Sequence, residues 1–287
     1  MMAAIPVFEE QTGGAAAAMV ASLAGFDTEE PVLAQLEGIA RTSPSRKLSV
    51  YAAGAGFELS EELEYLAWRA AEPNIFFNPR FMAPAMPRLE DREIRFMVMR
   101  DEADDRSRLR LLMPFSVERP GIGIGPEILR AWSSPFAPLG TPLVDRDDPV
   151  GVFEDMLDIL GRKHLKMPEI LVIPDIAARG PVASALRIAA IGRNLPVLAT
   201  GEKERAILKT GEEPDSYLKQ AVTPHHLRGY NRLLRRLGEL GEVTFGEWRE
   251  PGDIRRRTEE FLALESQGWK GRKGTAMTID RYRAAFT

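Results

Sequence analysis

Glycines at 268, 271 and 274 bracket Trp269 and Lys270 in the stretch FLALESQGWKGRKGTAM (residues 261–277), and Glu265 stands about one helical turn before them. Glycine takes backbone shapes that other residues avoid, so such a turn can hold side chains away from a helix end. Displayed in this way, Trp269 is a platform for an apolar or amine-bearing substrate and Lys270 a donor to a carboxylate or phosphate. Glu265 becomes an acceptor for a hydrogen bond or a proton from an amine. The same residue types also suit a structural turn, in which Trp269 fills a core behind the helix, Lys270 is solvated and Glu265 makes a surface ion pair. Both readings stand on sequence alone.

A second group with chemistry is the basic stretch at residues 223–237, TPHHLRGYNRLLRRL. Thr223 is a good N-cap and Pro224 suits the first helical position. Helical spacing puts Leu227, Tyr230, Leu234 and Leu237 on one face and leaves Arg228, Arg232, Arg235 and Arg236 on others. Guanidinium forks bind phosphate oxygens in bidentate fashion, so Arg228, Arg232 and Arg235 form a candidate anion-binding ridge. The alternative is a solvated helix face. Nucleic acid is not expected as a partner, because aromatics are not interleaved and the net charge is -4.

Other familiar chemistry is missing from the sequence. RPGIGIG at residues 119–125 fits neither a dinucleotide fingerprint nor a phosphate-binding P-loop and reads as a flexible connection. Asp145, Asp147 and Asp148 precede a helix, where carboxylates favour the helix dipole and repel phosphates. The chain has no cysteine and three histidines, two of them adjacent (His225 and His226), so neither disulfides nor a metal site is expected. His164 stands alone, and no nucleophile with its base can be named; the catalytic residue is unassigned.

The elements that must position these groups follow from periodicity. Residues 1–46 lack a sustained pattern and read as a disordered or mobile arm; Glu9 and Glu10 stand where a secretory signal needs positive charge. No apolar run is long enough to span a bilayer, and a cytoplasmic protein is expected. A strand is expected at 47–53 and a helix at 58–71 with Leu59, Leu63, Leu66 and Ala70 on one face. A second helix should be capped by Asn78, with Pro79 at its first position. Alternation at 93–100 and 108–117 predicts a hairpin across a polar turn at 101–105. A Pro- and Gly-rich stretch at 120–142 follows, then helix 150–163, strand 169–173, helix 181–193 and strand 195–200. The order is β-α-α-β-β-(β)-α-β-α-β. Residues 243–248 then read as a short strand and 253–267 as a helix with Asp253 as N-cap and Gly268 as a left-handed end, a sequence of patterns like that of residues 48–86.

The turn at 261–276 resembles the signature of the BioF2-like acetyltransferases, a group that includes CelD (BcsL)-type proteins of exopolysaccharide and cellulose synthesis. EPNIFFNP (72–79), FAPLGTP (136–142) and the basic helix at 228–237 resemble further elements of that group. It is similar to the Gcn5-related N-acetyltransferase (GNAT) superfamily and to the FemAB peptidyltransferases, which carry two such folds in tandem. The resemblance implies an α/β protein of tandem GNAT-like (acyl-CoA N-acyltransferase) folds, each a mixed sheet flanked by helices, with the second copy incomplete. Residues 47–212 would be the first domain, without an acyl-CoA site, and 213–287 a linking basic helix and the start of the second. It further implies acyl-CoA (acetyl-CoA) as co-substrate, no metal, and transfer to the amine or hydroxyl of a sugar or related metabolite. Glu265, Trp269 and Lys270 would then bind the acceptor. The run Gln/Arg-x-x-Gly-x-Gly/Ala that grips the pyrophosphate in the superfamily is not found, which leaves a non-catalytic module binding a partner protein as the alternative.

Overall fold

The computed structural model describes residues 8–10, 45–103, 106–121, 123–206, 208, 211 and 213–287. They fall in two units, one drawn from Met1–Ala199 with Asp280–Thr287 and the other from Thr200–Ile279.

The first unit is built on a mixed seven-stranded sheet. Strands β1 (Phe8–Glu10), β2 (Ser45–Ala52), β3 (Arg95–Ala103), β4 (Arg106–Glu118) and β5 (Ile128–Ala131) are antiparallel neighbours in that order. The short β6 (Leu143–Val144) also pairs with β4, and β7 (Ile170–Val172) lies parallel to β5. Helices cover both faces. α1 (Ser60–Arg69) and α2 (Pro79–Leu89) set Leu63, Leu66, Met82 and Met86 against Phe96, Val98, Leu112 and Trp132. On the other face, α3 (Pro149–Leu160) and α4 (Pro181–Gly192) pack Phe153, Met156 and Val182 against Met97, Met99, Leu111 and Met113.

Because both faces are covered, successive residues of β3 and β4 are buried, and the strands read as apolar runs rather than alternating ones. The register shifts between Met99 and Arg100, where Met99 pairs with Leu111 and Arg100 with Leu109, leaving Arg110 as the extra residue of a bulge. The bulge moves Leu109 into the cluster with Leu112, and the Arg110 guanidinium reaches Asp101.

Caps follow the expected chemistry. Asn78 accepts from the Arg80 N–H at 3.0 Å with Pro79 at the first helical position. EPNIFFNP and FAPLGTP meet in space: the Asn74 amide donates to the Leu139 and Thr141 carbonyls at 3.1 and 2.9 Å, and Phe77 stacks on Trp132 with ring centroids 6.0 Å apart. α9 (Arg281–Phe286) belongs to this unit and sets Phe286 edge-on to Phe81.

The second unit is helical among its described residues: α5 (Pro214–Ala221), α6 (Pro224–Gly238), α7 (Pro251–Gln267) and the single turn α8 (Trp269–Arg272). Two expected strands are absent. Residues 195–200 and 243–248 take no sheet pairing, and Leu198 and Phe245 are 83% and 87% exposed. Their apolar residues match a strand, but a strand needs a neighbour's N–H and C=O groups, and Pro196 has no N–H to offer one. The tandem repetition expected from residues 243–286 is therefore not seen. The units divide between Ala199 and Thr200, whereas the expected boundary lies at 212/213. Apart from Phe8–Glu10 and the start of β2, the expected arm at 1–46 lies outside the described residues, as does the tip of the β3–β4 hairpin.

Candidate functional site

The glycine turn is assembled from its own residues. α7 ends at Gln267, and Gly268 is extended (φ -79°, ψ -163°) rather than left-handed. The left-handed residue is Gly274, φ 67°, which ends α8. There the Thr275 N–H donates to the Lys270 carbonyl and the Gly274 N–H to that of Gly271, the paired bonds of a Schellman motif. Gly271 is required for a different reason: a Cβ there would lie 1.7 Å from the Ser266 carbonyl oxygen. α7 itself begins at Pro251 with Glu250 as N-cap, not at Asp253, since Pro251 suits the first helical position.

Glu265 and Lys270 meet inside this turn. Lys270 Nζ donates to Glu265 Oε1 at 2.6 Å, and the Met277 N–H donates to Oε2 at 2.9 Å. The Lys270 hydrogen bond, followed by that of Met277, holds the Glu265 carboxyl below the usual glutamate range. The Glu265 side chain is 6% exposed and both its oxygens are engaged. The carboxylate that Lys270 finds is thus the chain's own, and Glu265 acts as the clasp of the turn. Trp269 does not fill a core; it is 57% exposed, with Lys273 Nζ 5.3 Å from its ring centroid. A flat aromatic face beside the Lys273 ammonium can receive an apolar or sugar-like ring.

The arginine ridge is also formed. α6 is capped by Thr223, and Arg228, Arg232 and Arg235 are exposed, with no ion-pair or side-chain hydrogen-bond partner among the described residues. This separates them from the arginines of the sheet unit's ionic network. Arg46 donates to Asp101, Asp155 and Asp148 at 2.7–2.8 Å, and Arg69, Arg108 and Arg110 surround Asp145. The acidic run at 145–148, expected to repel phosphates, is in fact neutralised by arginines from β2, α1 and β4 that lie far away in sequence. Arg46, assigned to the arm by its sequence, is part of this network.

The start of α4, directly after β7, is where a strand feeds a helix and an external anion would be gripped. It is occupied from within. Glu72 Oε2 accepts from the Val182 N–H at 3.4 Å, Pro181 supplies no N–H, and a Cβ on Gly180 would fall 2.3 Å from the same Glu72 oxygen. Burial pushes the Glu72 carboxyl up and the Val182 N–H only partly offsets it. In the sequence, residues 72–79 stand out for their turn and not for this carboxylate.

A second carboxylate missed from sequence is Glu90, which accepts from Trp132 Nε1 at 2.7 Å and from Arg92 Nη2 at 2.7 Å; Arg92 also reaches Glu118 and the Ser133 carbonyl. Trp132 is 42 residues from Glu90, so no spacing announces the pair. Burial pushes the carboxyls of Glu90 and Asp145 up, but hydrogen bonds from Arg92 to the first, and from the Asp147 N–H and Arg108 to the second, leave both below their usual ranges. Such groups add stability that is fully present above the unfolded-state pKa, ~4, and is lost as pH falls through the lower folded values. Melting temperature is therefore expected to hold from pH 7 to ~4.5 and to fall steeply below ~4. An Asp145→Asn variant should show a shallower acid limb in the same melts.

Among the described residues no group of three or more His, Asp or Glu is placed to hold a metal ion, and no helix is long and apolar enough to cross a membrane. No protein-family model, curated protein or solved structure matches the chain.

Proposed function

We propose that the protein acts in acyl transfer from acyl-CoA to the amine or hydroxyl of a sugar or related metabolite, with the Gly268–Gly274 turn reading the acceptor. The observation that carries this reading is the turn's construction: Glu265, Lys270 and the Met277 N–H lock a backbone that presents Trp269 to solvent. A rigid aromatic platform on an exposed turn, in a stretch that resembles an acetyltransferase signature, suits recognition better than packing. In the reaction the acceptor nitrogen or oxygen attacks the thioester carbonyl carbon. The new C–N or C–O bond replaces the C–S bond, and the departing CoA sulfur takes up the proton that the acceptor loses. Lys270 and Glu265 serve here as positioning residues, because each already holds the other.

One observation favours a second reading, a non-catalytic acyltransferase-like module that binds a partner protein. Glu72 and Pro181 close the helix start that would take a pyrophosphate in the first unit. Free-thiol release from acetyl-CoA with amino sugars as acceptors tests the two readings. The acyltransferase reading expects turnover that falls at least tenfold in Trp269→Ala, ~1.4 kcal/mol of transition-state stabilisation, with little change in Tm because the ring is exposed. Absence of thiol release together with absence of acetyl-CoA binding by calorimetry would leave the module.

A further inference from the structure

We infer that α6 is an interfacial helix that docks the protein on an anionic lipid surface. At 100° per residue, Leu227, Tyr230, Leu233, Leu234 and Leu237 fall within an arc of about 120°. Tyr230, Leu233, Leu234 and Leu237 are between 47% and 57% exposed, so the stripe faces no core. The rest of the circumference carries Arg228, Arg232, Arg235 and Arg236, and the helix Pro224–Gly238 has no acidic residue. None of the four guanidiniums has an ion-pair partner among the described residues, in a protein whose sheet unit pairs Arg46, Arg69, Arg92, Arg108 and Arg193 with carboxylates.

Charge decides the occupant. A helix whose apolar arc is interrupted only by His226, and whose other side sets four arginines among His225, Gly229 and Asn231 with no carboxylate, calls for a surface that is apolar beneath and anionic above, which is the boundary of a bilayer containing acidic phospholipids. Arg235 and Arg236 lie about 60–80° beyond the two edges of the apolar arc. Guanidiniums there reach lipid phosphates on both flanks while the leucines enter the acyl boundary, and Tyr230 suits that depth, having an apolar ring and a polar tip. Fifteen residues give about 22 Å of helix, too short to cross the hydrocarbon core, so the helix lies in the plane of the surface. A second copy is a poorer occupant, because it would cover the leucines but leave the four arginines, which point away from the apolar arc, without an anionic partner. This inference does not depend on acyl transfer.

The test is co-sedimentation of the full chain with phosphatidylcholine vesicles, with and without phosphatidylglycerol. The protein should sediment with the anionic vesicles and not with the neutral ones, and added salt should weaken the binding. Arg232→Glu with Arg235→Glu, and separately Leu233→Glu with Leu234→Glu, should each lower partitioning at least tenfold; all four positions are exposed, so folding is expected to survive, as circular dichroism will show. Excess acetyl-CoA should not displace the protein. No sedimentation with anionic vesicles overturns the inference, and so does full binding by the leucine variant. Displacement by acetyl-CoA would reassign the arginines to a soluble nucleotide. A dimer in sedimentation velocity that the leucine variant abolishes would reassign the apolar face to a second copy.

Discussion

Asp145→Ala is expected to lower the unfolding free energy by about 3–5 kcal/mol, the usual cost of removing one partner from a buried ionic network. Asp145 is 1% exposed; its Oδ2 lies 2.6 Å from Arg108 Nη2 and 3.4 Å from both Arg69 Nε and Arg110 Nη1, and its Oδ1 accepts from the Asp147 N–H at 3.0 Å. Deleting the carboxylate leaves guanidiniums crowded together with one negative neighbour fewer, and the loss is a large fraction of the ~5–15 kcal/mol by which a domain is stable. Urea unfolding followed by circular dichroism measures it. Asp147→Ala is the control: that side chain is 48% exposed and shares Arg69 and Arg108 with Asp145, so its removal should change the midpoint far less. An Asp145→Ala protein as stable as the parent would mean that the arginines find other partners and that the network is not a keystone of the sheet.

Gly271→Ala is the second large effect, and it falls on the candidate acceptor site. The added methyl would meet the Ser266 carbonyl at 1.7 Å, a backbone atom that cannot swing aside. Relief requires α8 to unwind or the end of α7 to move, at a cost of about 3 kcal/mol, the upper range for overpacking. Ala276 is buried beside this turn, but most of the surrounding helical unit is exposed, so the cost should appear as local opening rather than global unfolding. Hydrogen exchange is the suitable measurement: the amides of Gly274, Thr275 and Met277, each bonded within the turn, should lose protection while those of β3 and β4 keep it. Unchanged protection at these three amides would contradict the packing at Gly271. Because Glu265 and Lys270 are clasped by this backbone, the proposed acyl transfer is expected to fall along with the protection.

Helix starts with an Asn or Thr cap before proline were the most legible features of the chain, whereas the start of α7 lies at Pro251 and not at Asp253. Asn78-Pro79 and Thr223-Pro224 each announce an N-cap and first position, and both helices begin there. These signals lie within three or four residues, where chain geometry alone brings the groups together. The hairpin of β3 and β4 was legible too, but the notion of an alternating strand was incomplete: Met97 and Met99 are buried as fully as Phe96 and Val98 because helices cover the second face. For residues 195–200 the apolar pattern misled, since it reports suitability for a sheet and not the presence of a neighbouring strand.

The same division holds for the candidate sites. Sequence by itself determined that α6 is amphipathic and cationic, that glycines shape the turn at 268–274, and that Glu265 and Lys270 lie close enough to meet. These are properties of residues at most about twelve apart, and helical or turn geometry converts such spacings directly into positions in space. Only the tertiary structure decided which charges are already spent. Glu72 reaches the start of α4 across 110 residues, Arg46 reaches Asp155 across 109, and Trp132 finds Glu90 across 42. Whether a carboxylate or guanidinium is free for a ligand depends on what the fold places within hydrogen-bond reach, and that is set by sheet order and helix packing rather than by any local pattern. The fold uses Asp145, Glu72 and Glu90 internally and leaves the arginines of α6 and the face of Trp269 turned outward.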